Sequence, residues 1–236
     1  MTKYQVLLCV VVASALCSFS FHQKNNNRPV VEIAVPANGS TVTPGSIIAY
    51  QINITDKEDG SSEYQEIQQA EVFLKVKYLP AESQISAYLQ QEKQSGKTFR
   101  LMTQENCFNC HAVQHKFTGP SFRDIASKYG GSTAAYERLA RKIIKGSRGV
   151  WSDGQQMPAH PKLKKDAAIA IARLVVQYGR DKNLDLYTGT EGTISINKRQ
   201  RKTSSSVLLL TASYLDHGIE LKNRKEGKGM MKVYVK

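Results

Sequence analysis

The chain has 236 residues, 41% of them hydrophobic, and this length suffices for one large domain or two small ones with cores of their own. Its formal net charge of +13 is unevenly spread, since residues 83–183 hold 17 Lys and Arg against 7 Asp and Glu, residues 197–236 hold 10 against 3, and residues 21–82 hold 5 against 8. Because aromatic residues are not interleaved with the basic ones, the charge favours an acidic protein partner or another anionic surface over nucleic acid, unless it serves only to keep the protein soluble.

The first 20 residues are typical of a secretory signal segment. Lys3 precedes an apolar run over residues 6–12, and Ala13-Ser14-Ala15 then provides an Ala-x-Ala site for cleavage. The run is too short for a permanent transmembrane anchor. We therefore expect an exported protein, either periplasmic or anchored on the extracytoplasmic side of a membrane. Residues 14–17 loosely resemble a bacterial lipoprotein box, so that Cys17 is either lipidated or an incidental cysteine of the signal.

Residues 28–80 show the alternation of apolar and polar side chains that is typical of β-strands. Val72, Leu74 and Val76 are expected to share one face of the last strand in this segment. Three strands form only an incomplete core, so that further strands are required. The strands are predicted over residues 30–35, 47–54 and 71–78.

The segment that follows changes to the period of α-helices. Residues 121–129 place apolar side chains on one face and stop at a Gly-Gly pair. Ser132 or Thr133 can cap a second helix, which is expected to end at Gly146. Residues 164–178 carry apolar side chains at positions i, i+3, i+4 and i+7, the stripe of a packed helix.

Strands return beyond residue 184. The economical arrangement is one β-sandwich formed by residues 28–80 and 184–236, with residues 83–183 inserted in a loop as a helical domain, which is tolerated when the ends of an insert lie close together. Two unrelated β segments beside the helical domain are the alternative. The strands are predicted over residues 187–196, 206–215 and 230–235, with turns at 216–218 and 227–229.

Three short stretches, residues 27–31, 54–60 and 210–218, resemble strands of PKD-type immunoglobulin-like modules. They correspond to the first, second and penultimate strands of such modules. The resemblance implies an immunoglobulin-like topology for the sandwich. The expected fold class is therefore α+β with two domains, one all-helical and the other an immunoglobulin-like (PKD-type) β-sandwich formed by the flanking segments.

Cys107, Cys110 and His111 form a CxxCH motif. Two thiols at this spacing add to the two vinyl groups of one haem, while the adjacent imidazole reaches the iron from the same turn. Zinc would need a further thiolate or imidazole ligand nearby, and the other two cysteines, Cys9 and Cys17, lie in or beside the signal segment. A disulfide framework is excluded for the same reason. The motif therefore predicts one covalently attached haem c with its iron.

A low-spin haem iron needs a second axial ligand, and Met157 is the best candidate among the methionines. It stands alone in the irregular loop 153–161, where an unbranched thioether has no core to fill. Met102 lies only nine residues before His111, on the approach to the same face of the haem. The methionines at 230–231 are expected in the sandwich core. A soft sulfur ligand favours Fe(II) and raises the redox potential.

Two further histidines, His115 and His160, lie within 50 residues of the CxxCH motif. His160 is the rival of Met157, because a pair of imidazoles would also give low-spin iron, with a lower redox potential. His115, four residues after His111, is expected to be a solvated surface side chain.

Four stretches carry a family resemblance: Gly96-Lys97-Thr98-Phe99, the CxxCH motif, Thr118-Gly119-Pro120-Ser121-Phe122, and residues 145–151 leading to Met157-Pro158. With them, residues 96–179 resemble the small class I bacterial cytochromes c. The resemblance implies that the Pro120 carbonyl accepts the other imidazole N–H of His111, and that the Trp151 indole N–H bonds a haem propionate. A proline at a helix start and a packed aromatic are the alternatives for these two residues. Ser152 departs from the family, which usually has glycine there.

An iron with six strong ligands has no open site for substrate, so the expected function is one-electron transfer rather than catalysis. The sandwich would then hold or present the cytochrome to a periplasmic dehydrogenase or terminal oxidase. The alternative is a haem-based module for gas binding or sensing, in which Met157 leaves the iron. A weaker alternative is that the sandwich binds carbohydrate or a cell-surface partner.

Overall fold

The structure is a computed structural model that describes residues 25–151, 154, 156–197 and 206–236. The expected signal segment 1–20, with Cys17, lies outside the described residues, as does Ser152. Within the described ranges the chain forms nine strands and four α-helices. The strands are β1 (Val30–Val35), β2 (Thr41–Val42), β3 (Ile47–Asp56), β4 (Gly60–Ser61), β5 (Val72–Leu79), β6 (Leu184–Thr188), β7 (Glu191–Ser195), β8 (Val207–Leu215) and β9 (Glu226–Val235). The helices are α1 (Ile85–Gln104), α2 (Phe122–Tyr129), α3 (Thr133–Lys145) and α4 (Lys165–Arg180).

The strands form two sheets that share one apolar core. In the first sheet β3 pairs antiparallel with β1, β4 and β7. The second has the order β2-β9-β8-β5-β6, antiparallel except for the parallel pair of β2 with β9. Apolar side chains of both sheets pack together between them, which confirms the strand-rich character predicted for the segments beside the helices. Among these core residues are Ile52, Ile54, Leu74, Tyr214 and Val233.

All four α-helices lie between two strands that are neighbours in the five-stranded sheet. β5 and β6 pair antiparallel, with Lys77 opposite Leu184. The chain therefore leaves this sheet at the end of β5 and returns on the adjacent strand after the last helix.

The helix ends follow local capping chemistry. The Ser121 hydroxyl accepts a hydrogen bond from the Asp124 N–H at 3.0 Å, and the Ser132 hydroxyl accepts one from the Ala135 N–H at 3.2 Å. The prediction that α3 ends at Gly146 is confirmed, since the helix stops at Lys145. No helix in the described ranges is long and apolar enough to cross a membrane.

Two predictions about the later strands are wrong. The single strand expected over 187–196 is two strands in different sheets, because Gly189, with φ of +116°, turns the chain between β6 and β7. The turn expected at 227–229 belongs to β9. Its glycines allow β1 to pass closely, since a Cβ on Gly227 would lie 2.5 Å from the Pro29 carbonyl oxygen and one on Gly229 2.4 Å from that of Val31.

β5 is buried on both faces. Val72, Leu74 and Val76 lie in the core between the sheets, as their alternation predicts. Phe73 and Lys75, on the opposite face, are also buried, because the helices cover that side of the strand. The alternation in the sequence therefore accounts for only one of the two buried faces of this strand.

Candidate haem site

A cavity of about 460 Å³ with mostly apolar walls lies among the helices and the loop that follows α3. Its volume is within the range of roughly 300–1,000 Å³ that is usual for cofactor sites. The six residues that the sequence predicts for the haem site all line it. They are Cys107, Cys110, His111, Pro120, Trp151 and Met157.

The CxxCH motif folds as a compact turn. Residues Cys107–Asn109 form a single 3-10 turn, and the His111 N–H donates to the Cys107 carbonyl at 3.1 Å. Burial, together with the nearby Glu105 carboxylate, raises the pKa of the Cys107 thiol to about 12. The thiol is therefore protonated at neutral pH in the folded chain.

His111 has a fixed orientation and a fixed tautomer. Its Nδ1 lies 2.7 Å from the Pro120 carbonyl oxygen, which can only accept, so that the proton sits on Nδ1 and the Nε2 lone pair is free. Burial lowers the pKa of His111 against the opposing effect of this hydrogen bond. A neutral imidazole with an oriented second nitrogen is what an iron ligand requires.

Met157 is held beside the cavity by its own backbone. Its N–H donates to the Ser147 carbonyl at 2.9 Å, and the Ser147 N–H donates to its carbonyl at 3.1 Å. Among the described methionines it alone lines the cavity. Met102 is fully buried in the helical core. Of the two methionines placed in the sandwich core by the sequence, Met231 is buried there, but Met230 is 56% exposed because it lies on the outer face of β9.

Trp151 packs against the helical core at the cavity wall. Lys128 Nζ lies 4.3 Å from the centre of the indole ring and donates to the Val150 carbonyl at 2.9 Å. Trp151 thus has a cation over the face of its ring.

His160 also lines the cavity and pairs with a residue that the sequence analysis missed. Its Nδ1 lies 2.8 Å from Glu105 Oε2, across 55 residues of chain. The pair joins the end of α1, just before the CxxCH motif, to the segment just after Met157. Local sequence carries no signal for this contact, because it exists only when the helices pack. His115 is exposed, as predicted.

Replacing Gly119 by alanine is expected to displace His111. A Cβ there would lie 2.7 Å from His111 Cε1, and the ring cannot move away without breaking its hydrogen bond to the Pro120 carbonyl. We expect a loss of about 1–3 kcal/mol in the free energy of unfolding and an altered visible spectrum of the haem protein. Gly96→Ala is the matched control, because its nearest atom is Arg100 Nη1 at 3.7 Å, and it should stabilise α1 by about 0.5–1 kcal/mol. Denaturant unfolding that gave wild-type values for Gly119→Ala would contradict this geometry.

Comparison with known proteins finds relatives of the helical segment. The family model for cytochrome c matches residues 95–178. The chain is 35% identical over 77 residues to cytochrome c-551 of Pseudomonas aeruginosa, covering 32% of this chain and 71% of that protein. It is 40% identical over 76 residues to cytochrome c-552 of Hydrogenobacter thermophilus, covering 31% and 74%. The crystal structure of wild-type Nitrosomonas europaea cytochrome c552 aligns at 37% identity over 34% of this chain and 96% of that one, with a TM-score of 0.31.

Proteins of this family bind covalent haem c with its iron, and they are electron-transfer proteins rather than enzymes. The relatives are of the small class I type. The matched segment covers about a third of the chain, and the two sheets lie outside it. Because the chain matches the cytochrome c family model and is 35% identical to a relative of which it covers 71%, it belongs to the cytochrome c family.

Proposed function

We propose that this protein is an exported monohaem c-type cytochrome that passes single electrons between periplasmic redox partners. In this proposal Cys107 and Cys110 would form the two thioether bonds to the haem, and His111 and Met157 would ligate its iron. The observation that carries it is the meeting of the CxxCH turn and Met157 in one mostly apolar cavity.

Each residue of the site has a separate task in this function. The haem, when bound, supplies a one-electron iron couple. Burial keeps the His111 imidazole neutral, and the Pro120 carbonyl orients it and raises its basicity as a ligand. The Met157 thioether would favour the reduced iron, and the apolar walls would exclude water from it.

A basic rim around the cavity supports an acidic redox protein as the partner. Lys142 lines the cavity and donates to the Ser147 hydroxyl at 3.2 Å, and Arg148 donates to Gln156 Oε1 at 2.8 Å. Lys128 lies over the ring of Trp151, whose indole N–H would bond a haem propionate. Positive charge at this edge steers an acidic partner toward it.

For the rest of the chain we propose the division expected from the sequence. Residues 83–183 are the cytochrome c domain, and residues 28–80 and 184–236 form an immunoglobulin-like (PKD-type) sandwich. The shared core of the two sheets and the pairing of β5 with β6 support this division. Residues 1–20 direct export, and lipidation of Cys17 would add a membrane anchor.

The test is covalent haem after denaturation, with the protein expressed in a strain that matures c-type cytochromes. The wild-type chain should keep haem stain on a denaturing gel, and Cys107→Ala/Cys110→Ala should lose all of it, because both thioether bonds are gone. Cys17→Ala is the control and should keep the stain in full. A wild-type band without stain, or a stained double variant, would rule out the proposed attachment.

A further inference from the structure

One strand of the five-stranded sheet supplies part of the core of the haem-binding helices. Phe73 of β5 is 5% exposed and belongs to the same apolar cluster as Phe99 of α1, Phe108 of the CxxCH turn and Phe122 of α2. Phe73 lies outside residues 95–178, the part that matches the cytochrome c family. The helical core is therefore completed by a residue from the sheet.

A continuous series of ring contacts leads from this strand to the haem ligand. The Phe73 ring centre lies 5.2 Å from that of Phe108 and 5.9 Å from that of Phe99. Phe108 in turn lies 5.9 Å from Phe122, which stacks on His111 at 6.0 Å. Both the cysteine turn and the histidine are thus supported, through one or two rings, by a residue of β5.

Phe108 is the link that matters most, because it lies between Cys107 and Cys110. It is 6% exposed, and its position fixes the backbone that carries both thiols. Interiors are close-packed, so that removing the Phe73 ring leaves a void directly behind Phe108. The turn could then relax, and water could approach the haem attachment from the side of the sheet.

Polar contacts hold the helical segment in register on the strand. Lys77 pairs with Asp181 at 2.5 Å, and Gln114 Nε2 donates to the Asp181 and Leu184 carbonyls, both at 2.9 Å. Arg100 of α1 pairs with Glu226 of β9 at 3.0 Å. Because these contacts join the strands to the helical segment at several points, they fix the position of Phe73 relative to the helices.

We propose that Phe73 is a positioning residue of the haem site, and that the β-sheet portion sets the redox potential of the haem through Phe108. The sheets then support the electron-transfer centre from behind its cysteine turn, beyond any role in presenting it to a partner. This inference rests on haem attachment at Cys107 and Cys110.

The experiment compares Phe73→Ala with Val76→Ala in the full-length haem protein. Val76 lies on the same strand and is equally buried, but it faces the core between the sheets. Spectroelectrochemical titration of Phe73→Ala should shift the ferric-to-ferrous ratio at a fixed potential by at least about threefold toward ferric iron, because water near the haem stabilises its more charged state. Val76→Ala should lower stability but leave the ratio at the wild-type value. Phe73→Leu, which fills part of the void, should mature normally and give an intermediate shift.

The outcomes separate this inference from the proposed function. Covalent haem in the wild type, with unchanged ratios in both Phe73 variants, would overturn the role of Phe73 alone. Equal shifts in Phe73→Ala and Val76→Ala would also overturn it, since they would reflect stability and not position. If Phe73→Ala acquires no covalent haem, the ferric-to-ferrous ratio of Phe73→Leu takes its place: a shift toward ferric iron supports the role of Phe73, and a wild-type ratio overturns it. A wild type without covalent haem would overturn the proposed function itself.

Discussion

Replacing Met157 by alanine is expected to abolish the methionine-to-ferric-iron charge-transfer band of the oxidised protein. It should also lower the midpoint potential by on the order of 0.1 V, a fraction of the roughly 0.8 V range that axial ligands span. The physical reason is that the soft thioether stabilises the reduced iron, and alanine offers no donor in its place. Absorbance near the band and a redox titration measure the two effects. The reduced variant should also bind carbon monoxide rapidly.

Met102→Leu is the control for this experiment. Met102 is fully buried but does not line the cavity, so its replacement should leave the band and the midpoint potential unchanged. A wild-type protein that lacks the band and binds carbon monoxide rapidly would favour the gas-binding alternative over electron transfer. His160→Ala distinguishes the other candidate ligand, since the band should persist in that variant if Met157 is the ligand.

The features predicted from sequence are those that local chemistry decides. Ser121 and Ser132 cap their helices because a hydroxyl reaches an N–H only three residues ahead. The CxxCH motif works in the same way, since its spacing alone brings two thiols and an imidazole onto one turn. Met157 has no place in a periodic core, which makes it the best ligand candidate from sequence, and it lines the same cavity as the CxxCH turn.

The features that the sequence could not predict depend on contacts between distant segments. Glu105 gains its role from His160, 55 residues away, and Phe73 gains its role from helices that follow it in the chain. The alternation in β5 indicates a strand but does not tell which element covers its second face. Similarly, Gly227 suggests a turn, whereas the close passage of β1 is what requires a glycine there.

The largest effect on stability is expected from Glu92→Ala, at the junction of β5 with α1. Glu92 pairs with Lys75, which is buried between the Phe99 and Tyr178 rings and donates to the Tyr178 hydroxyl at 2.8 Å. Without the carboxylate the buried ammonium group loses its directly paired counter-charge, so that the free energy of unfolding should fall by about 3–5 kcal/mol. Denaturant unfolding at neutral pH measures the loss.

The pH dependence of the variant has a definite sign. Burial lowers the pKa of Lys75 below its usual 10.5, against the attraction of Glu92 and Glu226, and loss of Glu92 lowers it further. Between the folded and unfolded pKa values the unfolded chain binds more protons, so that raising the pH through this window should restore part of the lost stability. Glu137→Ala is the control, because its pair with Lys165, at 3.9 Å, is exposed and should contribute only about 0–1 kcal/mol. A Glu92→Ala variant that loses no more stability than Glu137→Ala, or that becomes less stable as the pH rises, would show that Lys75 is not buried as a charged group.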